Sequence, residues 1–142
     1  MIRKATLADA DFIYKMSSEN LDTSFVLETL KDYIKTDQTY HVFCVEKEEL
    51  IGYIMVWESA SYGQIIDLVI HPDYRKQGYG FSLIKHALDY FISIGVNVVS
   101  LEVKVSNEEA IRLYEKAEFV KDHTIKNYYK NEDGYFYVRR LI

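Results

Sequence analysis

Apolar residues in this chain recur at two periods, and the two alternate along its length. Alternation every second residue, or a short run rich in Val, Ile and Tyr, predicts strands near 40–46, 51–58, 63–70, 98–105, 119–126 and 135–141. Between them, spacings of three and four predict helices. One covers about 8–18 with Phe12, Ile13 and Met16 on a face, and a second about 25–36 with Leu27, Leu30 and Ile34. A third follows Gly80 with Phe81, Ile84, Leu88, Phe91 and Ile92, and a fourth runs through about Ala117. With a strand at the N-terminus, the order is β-α-α-β-β-β-α-β-α-β-β. That order predicts an α/β (α+β mixed) domain built on a central mixed, mostly antiparallel sheet flanked by helices.

Local signals mark the boundaries. Thr6 can cap the first helix and Ser24 the second. The charged run Glu46-Lys47-Glu48-Glu49 reads as a turn between two strands. His71-Pro72-Asp73 ends another strand, because proline lacks a donor and pushes the residue before it out of the helical region. Ser106-Asn107-Glu108-Glu109 looks like a capping box, and Asn131-Glu132-Asp133-Gly134 a hairpin-like connection.

Composition narrows the class. A chain of 142 residues, 49% hydrophobic and 27% charged, fits one globular domain spanning 1–142. No apolar run approaches the roughly 18 residues of a membrane span, and the start, Met-Ile-Arg-Lys-Ala-Thr, lacks the apolar core of a signal peptide. A lone Cys44 in an alternating strand reads as a buried structural thiol in a cytoplasmic protein. A net charge of −5 argues against a nucleic-acid surface and suits a cationic substrate. His41, His71, His86 and His123 are scattered without metal-ligand spacing, so no metal is expected. His71 reads as a strand-end residue and His86 as a solvent-facing helix position.

The chemistry concentrates where the strand ending at Ile70 turns into the third helix, through Arg75-Lys76-Gln77-Gly78-Tyr79-Gly80. A helix N-terminus presents free N–H groups and the positive end of its dipole, and glycine lets an anion approach the backbone closely. Arg75 and Lys76 add positive charge, so the turn reads as a diphosphate cradle. A dinucleotide fingerprint is excluded because the run from Gly78 ends in Leu83, and no Gly-Lys-Ser or Gly-Lys-Thr supplies a P-loop.

The pattern Arg-x-x-Gly-x-Gly after Asp-Tyr, between strand and helix, resembles the acetyl-coenzyme A signature of the GCN5-related N-acetyltransferase (GNAT) superfamily. The element order is also similar to that superfamily's over nearly the full length. Ile70-His71-Pro72-Asp73-Tyr74-Arg75, Leu101-Glu102-Val103, Ser106-Asn107, Ala110-Ile111-Arg112-Leu113-Tyr114-Glu115 and Asn127-Tyr128-Tyr129 resemble the bacterial branch that acetylates the N-terminal alanine of a ribosomal protein. Two positions depart from it. Glu118 stands before Phe119 where the family carries a glycine, implying a different helix stop or local strain. Asp22-Thr23-Ser24-Phe25 stands where the branch has a tryptophan that helps form the substrate groove.

The resemblance implies acetyl-coenzyme A as co-substrate and assigns roles. The amides from Lys76 through Phe81 would face the diphosphate, and the main chain of Leu68, Val69 and Ile70 would hold the pantetheine arm as an added strand. Asn107 resembles a coenzyme-contacting asparagine and equally reads as part of a helix start. Glu102 is the candidate general base, for an α-amine of pKa about 7.7–8.0 that needs only a modest base, and Tyr114 the candidate general acid for the departing thiolate. Without the resemblance, alternation reads Glu102 first as a solvated strand-face residue, and Tyr114 on its helix reads first as a core aromatic. Asn127, Tyr128 and Tyr129 match the segment that lines the peptide groove, although strand aromatics explain them as well. No serine lies in a nucleophile elbow, and direct transfer needs none. The implied activity is acetylation of a protein N-terminal α-amine, possible partners including a ribosomal protein. Two other readings stand beside it: a small-molecule amine N-acetyltransferase, and a non-catalytic acyl-coenzyme A-binding regulatory domain.

Overall fold

The computed structural model describes residues 1–20, 25–35 and 38–141. Its elements are β1 (Ile2–Lys4), α1 (Ala10–Asn20), α2 (Leu27–Lys35), β2 (Tyr40–Glu46), β3 (Leu50–Ser59), β4 (Tyr62–Ile70), α3 (Tyr79–Ser93), β5 (Val98–Lys104), α4 (Glu108–Lys116), β6 (Val120–Tyr129) and β7 (Glu132–Arg140). The strands form one seven-stranded sheet in the order β1-β2-β3-β4-β5-β7-β6. Every neighbouring pair is antiparallel except β4 and β5, which run parallel around the crossover helix α3.

The central strands are buried on both faces, which explains their near-continuous apolar runs. On β2, Phe43 and Val45 pack in one hydrophobic cluster with Leu83, Ile84, Leu88 and Phe91 of α3. Val42 and Cys44 join the other, with Ile13 and Met16 of α1 and Leu30 of α2. The sheet therefore separates an α1/α2 face from an α3/α4 face. Cys44 is fully buried, and that burial pushes its thiol up to about 11, as suits a structural cysteine.

Several boundaries differ from the sequence reading. A 3-10 turn, Leu7–Asp9, precedes α1, and Asp9 accepts from both the Thr6 N–H at 2.8 Å and the Thr6 hydroxyl at 3.1 Å. The buried stripe of α1 is Ala10, Ile13, Met16 and Ser17; Phe12 lies about 100° from Ile13 and is exposed. The stripe of α3 is Leu83, Ile84, Ala87, Leu88 and Phe91, leaving Phe81 half-buried and Ile92 exposed. His86 is half-buried, its ring edge-on to Phe43 at 4.8 Å, rather than solvent-facing. Asn107, not Ser106, caps α4, its Oδ1 accepting from the Ala110 N–H at 3.2 Å; Ser106 bonds Glu132 instead. The last hairpin is longer than expected: Asn127, Tyr128 and Tyr129 belong to β6, and Glu132 through Gly134 to β7. The expected Ser24 cap and the Asp22-Thr23-Ser24 stretch lie outside the described residues.

Candidate active site

The site begins with a parallel pair that stops pairing. β4 and β5 are in register only at Tyr62–Val98, Gly63–Val99 and Gln64–Ser100. One residue later β4 bulges: Val56 of β3 faces Ile65 and Met55 faces Asp67, leaving Ile66 as the extra residue. A bulge bends its strand, and from Asp67 onward β4 keeps β3 as a partner but leaves β5. The edge of Asp67–Ile70 that would face β5 therefore has no ladder.

A cleft of about 420 Å³ opens along that edge. Leu68, Val69 and Ile70 form one wall, the turn and first residues of α3 another, and α4 a third. The turn takes its shape from two left-handed residues, Lys76 at φ 62° and Gly78 at φ 90°; glycine meets that requirement at Gly78 without strain. The first intrahelical bond of α3 is Ser82 N–H to Gly78 O at 3.0 Å, so the amides of Tyr79, Gly80 and Phe81 are not used by the helix. Arg75 ties the turn to its strand, donating to Ile70 O at 3.0 Å and to Asn20 Oδ1 of α1 at 2.9 Å. Arg75, Lys76, Gly78, Tyr79, Gly80, Phe81, Asn107 and Tyr114 all line the cleft. Gln77 does not; its amide reaches back toward Asp73 O at 3.4 Å.

Positive charge in the cleft is greater than the turn alone implied. Arg112 and Lys116, four apart on α4 and hence on one face, also line it, with Lys116 Nζ 4.7 Å from the centre of the Phe81 ring. Together with Arg75, Lys76 and the α3 N-terminus they make a site for a polyanion. The i, i+4 spacing after Asn107 was legible, but a cationic pair on an exposed helix ordinarily faces solvent.

Glu102 lies at the fork of the two strands. Leu101 and Val103 point into the α3/α4 cluster, so Glu102 is on the opposite face. Gln64, the last paired residue of β4, donates to both its carboxylate oxygens at 3.1 and 2.8 Å, and the Tyr128 hydroxyl donates to Oε1 at 2.8 Å. Tyr129 packs edge-on to Tyr128 at 5.0 Å. Gly134 makes room for both, since a Cβ there would sit 3.0 Å from Tyr129 and 3.2 Å from Tyr128. Burial, then Tyr128 and Glu102, push the Tyr129 phenol up to about 12. Asn127 adopts φ 54°, and its N–H donates to Asp133 Oδ1 at 2.9 Å, turning the end of β6 toward Glu102.

Tyr114 enters from the other face. It is 7% exposed, edge-on to Phe119, and burial followed by the negative charge of Asp67 raises its phenol well above the usual tyrosine value. Raised in this way, the Tyr114 phenol is a weaker acid than a free tyrosine. Its helix ends in a Schellman turn: Phe119 N–H bonds Tyr114 O at 3.0 Å and Glu118 N–H bonds Glu115 O at 2.9 Å. Glu118 takes the left-handed position at φ 70°, so the expected strain is present at that residue.

Comparisons with known proteins agree with this geometry. The model of the acetyltransferase (GNAT) family matches residues 7–119. An N-alpha-acetyltransferase of Sulfolobus acidocaldarius is 33% identical over 152 residues, covering 94% of this chain and 88% of its own. The crystal structure of the ribosomal-protein-S18-alanine N-acetyltransferase from Escherichia coli superposes with a TM-score of 0.89 at 23% identity, covering 99% of this chain and 93% of that one. Arabidopsis thaliana NAA60, solved in complex with acetyl-CoA, gives a TM-score of 0.89 at 20% identity, covering 99% and 98%.

Proposed function

This chain belongs to the acetyltransferase (GNAT) family, an acetyl-coenzyme A-dependent enzyme class, and from that premise we propose that it acetylates the N-terminal α-amine of a protein, with a ribosomal protein as the candidate acceptor. The observation that carries the reading is the fork between β4 and β5. It sets a polyanion cleft on the α3/α4 face, with Tyr114 at its inner end, against Glu102 and the Tyr128–Tyr129 pair on the other. Residues 1–142 act as one catalytic domain.

In this reading the coenzyme diphosphate lies on the amides of Lys76 through Phe81, beside Arg112 and Lys116. The pantetheine arm follows the unladdered edge of Leu68, Val69 and Ile70. Arg75 holds the turn and strand together, Gln77 braces the turn, and Asn107 caps α4 at the cleft wall. The acceptor peptide approaches from the α1/α2 face along Asn127, Tyr128 and Tyr129. Glu102, positioned by Gln64 and Tyr128, takes a proton from the incoming ammonium, directly or through water. The neutral amine attacks the acetyl carbonyl, the C–N bond forms and the C–S bond breaks, the nitrogen sheds its second proton, and Tyr114 protonates the departing thiolate and is reprotonated from solvent. A raised phenol suits this only in a water-poor cleft, where the thiolate is equally poorly solvated.

The test follows free thiol while the protein is incubated with acetyl-coenzyme A and peptides differing at residue one, beside spermidine and amino sugars. Release confined to peptides with a free α-amine is the expected result; release only with small amines overturns the acceptor, and coenzyme binding without release overturns the activity. Tyr114→Phe should lower kcat about 10²-fold while leaving the acetyl-coenzyme A dissociation constant nearly unchanged.

A further inference from the structure

The fork holds a second carboxylate. Asp67 is the first residue of β4 beyond the bulge, immediately before the Leu68–Ile70 edge. Its cross-strand partner Met55 belongs to the α1/α2 cluster, and directly paired side chains share a face, so Asp67 lies on the acceptor side with Glu102. Among the described residues it makes no side-chain hydrogen bond or ion pair. On the same face are two buried hydroxyls, Tyr53 of β3 and Ser17 of α1, close to each other and, among the described residues, without a partner in hydrogen-bond geometry. Buried polar atoms are ordinarily satisfied, so an unpartnered cluster at the fork marks a place built for a group that comes and goes.

The charged and titratable groups around Asp67 are few. Tyr53, two residues along β3 from Met55, shares its face, and the phenols of Tyr53 and of Tyr114 across the sheet are both raised by burial and then by the negative charge of Asp67. α1 supplies the Ser17 hydroxyl. β5 supplies Glu102, already held by Gln64 and Tyr128, and β6 supplies Tyr129, which acts on Tyr114. No cation stands among these groups. Burial accordingly pushes the Asp67 carboxyl up to about 6, inside the range of an effective base near neutral pH.

We propose that Asp67 is a further catalytic residue, whose carboxylate accepts the proton that the substrate nitrogen sheds after attack. This rests on the peptide-acetyltransferase reading above. An α-ammonium loses two protons on becoming an amide, one before attack and one after it, and the two carboxylates divide them. Glu102 takes the first, which goes to solvent, leaving a neutral amine. The amine attacks; as the C–N bond forms and the C–S bond breaks, the nitrogen's second proton goes to Asp67 and the Tyr114 proton goes to the sulfur. Asp67 then gives its proton to solvent, and the Tyr114 phenolate takes one back from solvent. The products are acetylated peptide, free thiol and one solvent proton, so charge and atoms balance. Proton uptake by Asp67 also removes one of the charges that, after burial, raise the Tyr114 phenol.

The experiment compares wild type, Asp67→Asn and Glu102→Gln with an α-amine peptide across pH 5–9, together with calorimetric acetyl-coenzyme A binding. In Asp67→Asn, kcat should fall at least 30-fold, coenzyme affinity should stay within twofold, and the acid limb near pH 6 in kcat/KM should vanish. Glu102→Gln should retain that limb. An Asp67→Asn enzyme within twofold of wild-type kcat, or one that keeps the limb, overturns the proposal while leaving the acetyltransferase reading intact. A wild-type enzyme that releases no thiol with any peptide overturns both. Asp67→Ser serves the same comparison should the amide variant fail to fold.

Discussion

Single residues here carry opposing demands of stability and chemistry. Glu118 occupies a left-handed helix end that costs an L-residue with a Cβ about 1 kcal/mol more than glycine. Its carboxylate recovers little, because its ion pair with Arg139 at 3.3 Å is solvent-exposed on the Glu118 side. Glu118→Gly should therefore raise stability by about 1 kcal/mol and the melting temperature by about 3 °C, as read by thermal denaturation. A drop would mean that the Schellman turn over Tyr114 depends on the glutamate side chain. The family's usual glycine made this position conspicuous in the sequence. Asp67 had no such signal, since an acidic residue in an apolar strand reads equally as an outward-facing position.

At the level of elements, α4 does three things at once. Its N-cap Asn107 and its Arg112 and Lys116 face line the coenzyme cleft, and its last turn delivers Tyr114 to the fork. Reversing the two cations, Arg112→Glu with Lys116→Glu, should raise the acetyl-coenzyme A KM by about tenfold or more, with much of the wild-type affinity lost at high salt. The measurement is KM against ionic strength; a double variant with unchanged KM would put the polyanion elsewhere. The β6–β7 hairpin carries the opposite assignment. Replacing Tyr128 and Tyr129 with Ala should raise the peptide KM several-fold and leave the acetyl-coenzyme A KM within about twofold. It should also free one hydrogen bond on Glu102. A folded double variant with unaltered peptide KM would remove the hairpin from the acceptor groove.

For the molecule as a whole, the buried carboxyl at the fork links function to pH stability. The Asp67 value is raised on folding from 3.8 to about 6, so the folded state binds more protons than the unfolded chain between those values. Stability then falls as pH rises through that window, and above about pH 6 the ionised Asp67 costs the fold on the order of 2 kcal/mol, allowing for partial solvent screening. Asp67→Asn should match the wild type near pH 4 and melt several degrees higher near pH 7.5; equal melting curves at both pH values would show that the carboxyl is not desolvated. The sequence by itself determined the element order, a mixed, mostly antiparallel sheet and the glycine turn at an α3 N-terminus, because periodicity, capping and turn chemistry are local; Glu102 and Tyr114 stood out only through the family resemblance. It could not place Phe12, Phe81 or Ile92 off their helix stripes, since a rotation of one residue is decided by what the helix packs against. Only the tertiary structure decided that β4 bulges at Ile66 and parts from β5. That separation brings Gln64 to Glu102, Tyr128 across from β6, and Asp67 onto the face of Tyr53. These contacts join residues far apart in the chain, and their geometry is set by the sheet's register.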